Sequence, residues 1–244
     1  MRPSNPILLV HGFQYDPDAE GRDNPHNHTF PRWEEMLGDV PTVRHAWFSV
    51  PLTRRNVWRS WRHGRWNRYR WAWDLAHDEA LRVANRLRGF AEPADIVCHS
   101  LGSRVVVEAL SLGAPAARVL FLNGAEYLDA AARVARRRSE IGFFSVSVAT
   151  DDVLNKLGRF APGFGGEFVG NTPLGLLASL NWTDLPLDDA NFQGTMRELY
   201  GWDLAGDNPE SVGDHWYSFE HEENWPLYRA ILDRSWPTLG GDDA

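Results

Sequence analysis

The stretch Ala94-Asp95-Ile96-Val97-Cys98-His99-Ser100-Leu101-Gly102-Ser103 decides how the rest of the chain is read. A short apolar run, a serine between small residues and the start of a helix spell a strand, a sharp turn and a helix, with Ser100 at the apex. Holding a hydroxyl proud of a sheet edge strains the backbone at Ser100 and brings the residues two before and two after it together, so only small side chains fit there. Cys98 and Gly102 hold those places, which makes the segment a G-x-S-x-G nucleophile elbow with cysteine for the first glycine. A five-residue motif alone does not separate a nucleophile from an ordinary strand-to-helix turn. The rest of the chain must supply the partners.

Around this stretch the strands alternate with helices. Ile7-Leu8-Leu9-Val10 is a continuous apolar strand ending in His11-Gly12-Phe13, and such runs belong in a parallel sheet covered on both faces. A short helix over 33–37 leads to a second strand over 43–50. A helix from Asp74 carries Ala76, Ala80, Val83, Ala84 and Leu87 on one face, with Gly89 placed to stop it. After the elbow strand and its helix come strands over 118–122 and 143–149, a helix to about Arg138 between them, and a last strand over 181–187. The region from there to Asp214 reads as loop. A closing helix over 224–235 has Asn224 as its cap and Leu227, Tyr228, Ile231 and Leu232 facing inward. The pattern is that of one α/β domain over 1–244, with a mostly parallel central sheet flanked by helices. Segments 51–73 and 158–180 are the candidates for a lid or pocket wall.

Composition narrows the function. At 244 residues, 43% hydrophobic with 12 Trp and 12 Phe, the chain can fill a substantial core. A net charge of −8 disfavours nucleic acid and anionic membrane. The run from Arg54 to Trp73, where Trp58, Trp61, Trp66, Trp71 and Trp73 interleave with arginines, reads as tryptophans packed beneath a solvated arginine face. One cysteine, Cys98, excludes an internal disulfide and a Cys-based zinc cluster and fits a reducing compartment. With no apolar run of membrane-spanning length and no signal peptide legible before Ile7, the chain is expected to be soluble and cytoplasmic. Asp16, Asp18, Glu20 and Gly21 match the first half of a calcium loop, but Asn27 stands where a bidentate glutamate is required, and no metal is expected. Neither a phosphate-binding glycine loop nor a dinucleotide fingerprint is present, so no cofactor is expected.

A serine hydroxyl is a poor nucleophile near neutral pH and needs a histidine base, a carboxylate to orient it and amide donors for the developing oxyanion. Loops leaving the carboxyl ends of parallel strands share one rim, and the residues placed there are Gly12-Phe13, Ser100-Leu101, Asn123-Gly124, Asp151-Asp152 and His215. Serine, acid and histidine occur in that chain order. From Leu-Val-His-Gly-Phe through Cys-His-Ser-Leu-Gly to Asp-His-Trp the sequence resembles the α/β-hydrolase family, lacking its usual first two strands. The resemblance implies Ser100 as nucleophile, His215 as general base and then acid, and the backbone N–H groups of Phe13 and Leu101 as the oxyanion hole. Asp151, which comes first after the strand, is the expected acid, with Asp152 as the alternative. His221, among Glu220, Glu222 and Glu223, competes with His215 but suits a solvated surface, and His11 and His99 are expected to brace the loops carrying Phe13 and Ser100.

The expected activity is cleavage of a carboxylic ester through an acyl-enzyme on Ser100. Tyr15, Phe13, Phe160, Phe164, Leu176, Leu177 and Trp216 are candidates for a pocket that takes a small, apolar ester. The same machinery would serve an amide or thioester. The other class of reading is a binding or scaffold module that keeps the fold without catalysis.

Overall fold

Continuous apolar strands need cover on both faces, and the computed structural model provides it. The structure describes residues 6–13, 27–47, 49, 65–157, 167–175, 181–206 and 214–236, apart from the side chains of 65–69, 157 and 214. Six strands, β1 Ile7–Val10, β2 Thr42–His45, β3 Asp95–His99, β4 Arg118–Leu122, β5 Gly142–Ser147 and β6 Trp182–Pro186, form one sheet in the order β2-β1-β3-β4-β5-β6. Every pairing is parallel.

The two-residue period of the strands sorts their side chains into two cores. Leu8, Val10, Ile96, Cys98, Val119 and Phe121 face one side, where α2 (Arg65–Arg88) and α3 (Gly102–Ser111) pack through Ala76, Ala80, Val83, Val105, Val106 and Ala109. Ile7, Leu9, Val97, Leu120 and Leu122 face the other. There α1 (Thr29–Leu37) contributes Phe30, Trp33 and Leu37, and the closing helix Trp225–Leu232 contributes Leu227, Tyr228, Ile231 and Leu232.

Strand order reverses at β1, whose neighbours β2 and β3 follow it in sequence on opposite sides. The loops leaving β1 and β3 therefore part at the carboxyl rim, and a crevice at such a switch point is where open α/β sheets bind ligands. His11-Gly12-Phe13 and Ser100-Leu101 flank it.

Several boundaries differ from the sequence reading. The helix expected from Asp74 begins at Arg65, inside the Trp/Arg-rich run. Trp73 is buried against Tyr127 at 5.0 Å, while Trp71 is 41% exposed. An arginine distant in sequence lies over Trp73, the Arg104 guanidinium standing 4.2 Å from its ring centroid. β2 stops at His45 instead of running to Val50, because the Trp47 N–H leaves the ladder for His11 Nε2 at 3.0 Å. The loop expected before Asp214 contains a helix, Ala190–Tyr200, opened by Asp189 accepting from the Phe192 N–H and closed by Gly201 at φ 70°. Only Met196 of that helix is buried, so it has no apolar stripe to betray it. Asn224 sits at the expected helix start, but its side chain does not cap the helix; it bonds both backbone groups of Ala205.

Arg104 also links two carboxylates, with Nη2 2.5 Å from Glu108 Oε1 and Nη1 3.3 Å from Glu126 Oε2. Glu126 is 1% exposed. Because the guanidinium is shared and sits nearer Glu108, burial outweighs it and raises the Glu126 carboxyl to about 7. The native state then keeps a proton that the unfolded chain has lost, so stability falls as pH rises from about 4.5 to about 7, by on the order of 3 kcal/mol. Glu126→Gln removes that term. The expected result is a smaller stability difference between about pH 5 and pH 8 than in the wild type, measured by urea unfolding. Equal differences in the two proteins would show that Glu126 is ionised throughout.

Candidate active site

The elbow forms as its sequence requires. Ser100, directly after β3, has φ 51°, a conformation that costs a non-glycine residue about 1–3 kcal/mol and persists only where surrounding contacts over-determine it. Those contacts are present. The Ser100 N–H donates to Leu122 O at 3.2 Å, and its carbonyl accepts from Ser103 N at 3.0 Å and Ala125 N at 2.8 Å. Gly102 has no room for a side chain, since a Cβ there would stand 2.5 Å from His11 O and 2.7 Å from Val10 O. Cys98 fills the other small position as neutral packing, its Sγ 3.7 Å from Ser103 Oγ, with burial pushing the thiol pKa far up.

Two backbone positions border this serine. Leu101 is the N-cap of α3, and among the described residues its N–H has no protein acceptor; it lies at the positive end of the helix. From the other side Gly12 abuts Ser100, for a Cβ at Gly12 would lie 2.6 Å from Ser100 Cβ and 3.2 Å from Ser100 Oγ. The Gly12–Phe13 peptide is thus seated beside Ser100.

The acid and the histidine meet at the same rim. His215 Nδ1 stands 2.8 Å from Asp151 Oδ2, with His215 3% exposed and Asp151 fully buried. A carboxylate only accepts, so a neutral imidazole here carries its proton on Nδ1 and, among the described residues, its Nε2 has no hydrogen-bond partner. Asp151 follows β5, and its other contacts fix it: Oδ1 accepts from the Leu154 N–H at 2.9 Å, and Oδ2 also accepts from Asn123 Nδ2 at 3.0 Å. His215 lies in the short helical turn Asp214–Trp216. Its carbonyl accepts from His99 Nε2 at 3.0 Å, and the two imidazoles are 4.7 Å apart. The residue preceding Ser100 therefore ties the histidine turn to the elbow.

The two open pairs differ in their surroundings. Asp152 starts the helix Asp152–Leu157 and pairs with Lys156 at 2.6 Å in solvent. His221 lies 3.6 Å from Glu223 with its ring against Tyr217 at 3.8 Å. Neither reaches the site. His11 braces the loop carrying Phe13, as expected, and His99, the residue before Ser100, holds the turn of His215.

Among the pocket candidates, Phe13 is half-buried against the first core, and Trp216 packs on the second core with its ring edge-on to His215 at 5.4 Å. Tyr15, Phe160, Phe164, Leu176 and Leu177 lie outside the described residues, as do the calcium-like run 16–21 and the lid candidates 51–64, 158–166 and 176–180. Within the second lid candidate, Phe168 is core, stacked on Tyr127 at 5.2 Å. Among the described residues no group of three His, Cys, Asp or Glu side chains is arranged to hold a metal, and no helix is long and apolar enough to cross a membrane.

No family model, curated protein or solved structure matches the chain.

The sequence places Asn123 on the rim but gives it no role in the site. It is fully buried, has φ 44°, and spends its amide N–H on Asp151. Asparagine tolerates the left-handed conformation better than most residues, so Asn123-Gly124 after an apolar strand was visible as a turn. Nothing local marked it as a partner of the acid.

Proposed function

We propose that this protein is a serine hydrolase of the α/β-hydrolase type that cleaves a carboxylic ester. The reading rests above all on one observation, a buried His215–Asp151 pair at 2.8 Å whose turn is bonded to the residue before a strained serine. A scaffold has no use for that combination. Strain at Ser100 and burial of a carboxylate with a histidine both oppose folding, and they occur together where a nucleophile is activated.

In this reading His215 Nε2 takes the Ser100 proton as Oγ attacks the ester carbonyl. Asp151 holds the imidazole in the required tautomer and stabilises the imidazolium, and the N–H groups of Phe13 and Leu101 receive the oxyanion. His215 then gives the proton to the leaving alcohol. Water, activated the same way, releases the acid and restores Ser100. The substrate is a small ester whose apolar part lies toward Phe13 and Trp216. A sheet order that reverses at β1, with serine, acid and histidine following in sequence, supports the family assignment. A lone buried free cysteine suits a cytoplasmic location.

A fluorophosphonate probe tests the reading without knowledge of the natural substrate. Wild type should label covalently, and Ser100→Ala should not. Labelling that survives the substitution, or folded wild type that never labels, would refute an activated Ser100.

A further inference from the structure

The segment after β2 is tied unusually tightly to the loop after β1. Trp47 and Ser49, both buried, sit beside His11-Gly12. The Trp47 N–H donates to His11 Nε2 at 3.0 Å, the Trp47 indole N–H to His11 O at 3.0 Å, and the Ser49 hydroxyl to Gly12 O at 2.8 Å. The His11 and Trp47 rings stack, 5.6 Å apart and 17° from parallel. Because His11 Nε2 accepts, its proton is on Nδ1, and Nδ1 lies 2.6 Å from Gly12 O. The Gly12 carbonyl thus receives two donors, one from Ser49 and one from His11.

That carbonyl is one end of a planar trans peptide whose other end is the Phe13 N–H. The two point in opposite directions, so a carbonyl held in place aims the N–H. Donors on the carbonyl also polarise the peptide and strengthen its N–H as a donor. The need is specific to this site. Residue 12 has to be glycine, since a Cβ would stand 2.6 Å from Ser100 Cβ, and glycine leaves its peptide free to rotate. The restraint that a side chain at 12 cannot supply comes from Ser49 and His11.

We propose that Ser49 is a positioning residue which, together with His11, aims and polarises the Phe13 amide as an oxyanion donor. This rests on the serine-hydrolase reading above. The test compares Ser49→Ala, Ser49→Cys and Ser49→Thr on a short-chain p-nitrophenyl ester, alongside wild type and Ser100→Ala. Losing one oxyanion donor outright costs about 10²–10³ in kcat, so misaiming one in Ser49→Ala should cost about 10- to 100-fold, with KM within about twofold.

Inhibition by an aryl trifluoromethyl ketone, which places a hemiketal oxyanion at the same donors, should weaken by the same factor. The threonine variant, which keeps the hydroxyl, should recover most of the activity, and the weaker thiol donor should fall between. A packing role alone would lower Tm while leaving kcat and ketone affinity at wild-type values in folded protein, and that result, with wild type active and Ser100→Ala dead, overturns the inference. An inactive, unlabelled wild type fails differently, since it removes the hydrolase reading and this inference with it.

Discussion

Ser100→Ala and His215→Ala are each expected to lower kcat on an aryl ester by about 10⁶-fold, and the double variant to be no slower than either single one. The reason lies in how the two groups share one step. A neutral serine hydroxyl attacks only as its proton leaves, and in the proposed mechanism the nitrogen that takes it is His215 Nε2, presented by the 2.8 Å contact of Nδ1 with Asp151. Remove either residue and the step is lost whole, so the second loss adds nothing. Any residual hydrolysis in the variants is then assigned to the proposed amide donors. His221→Ala is the control, since that ring is solvated beside Glu223, and it should keep kcat within about twofold because exposed pairs contribute little. Steady-state kinetics on purified variants decides the matter. Activity retained in His215→Ala and lost in His221→Ala would transfer the base to the other histidine.

The parts of the molecule that were legible in sequence are those with a local physical signature. Ile7 to Val10 is buried on both faces and reads as a continuous apolar run. The elbow is visible because strain and close approach restrict positions 98 and 102 to small residues, and Gly102 lies against the carbonyls of Val10 and His11. The different surroundings of Asp151 and Asp152 also have a local signature. Asp152 and Lys156 stand at i,i+4, the spacing of a solvated helix pair, while Asp151 stands three before Leu154 and accepts its N–H, as a residue just outside a helix does. The illegible parts are contacts between segments far apart in the chain. Trp47 and Ser49 meet His11 and Gly12 through a strand pairing that no short window reveals. The Ala190–Tyr200 helix escaped because it buries only Met196.

Asp151→Asn should lower kcat by about 10⁴-fold while Asp152→Asn stays within about twofold of wild type. The carboxylate of Asp151 accepts three hydrogen bonds, from Leu154 N on Oδ1 and from Asn123 Nδ2 and His215 Nδ1 on Oδ2. Asparagine offers one oxygen for these three donors. If that oxygen keeps the local bond to the Leu154 N–H, the new amide nitrogen faces His215, whose Nδ1 must then accept, and the imidazole proton moves to Nε2. The histidine is still present and still hydrogen-bonded, but it presents a proton to Ser100 where it should present a lone pair. The deficit should therefore fall on kcat with KM little changed, in a protein whose fold is retained. At position 152 the same substitution removes only a solvated pair with Lys156. Equal, small effects at both positions would mean that neither carboxylate orients the base, and a large loss confined to Asp152→Asn would contradict the contact between Asp151 and His215 on which the catalytic reading stands.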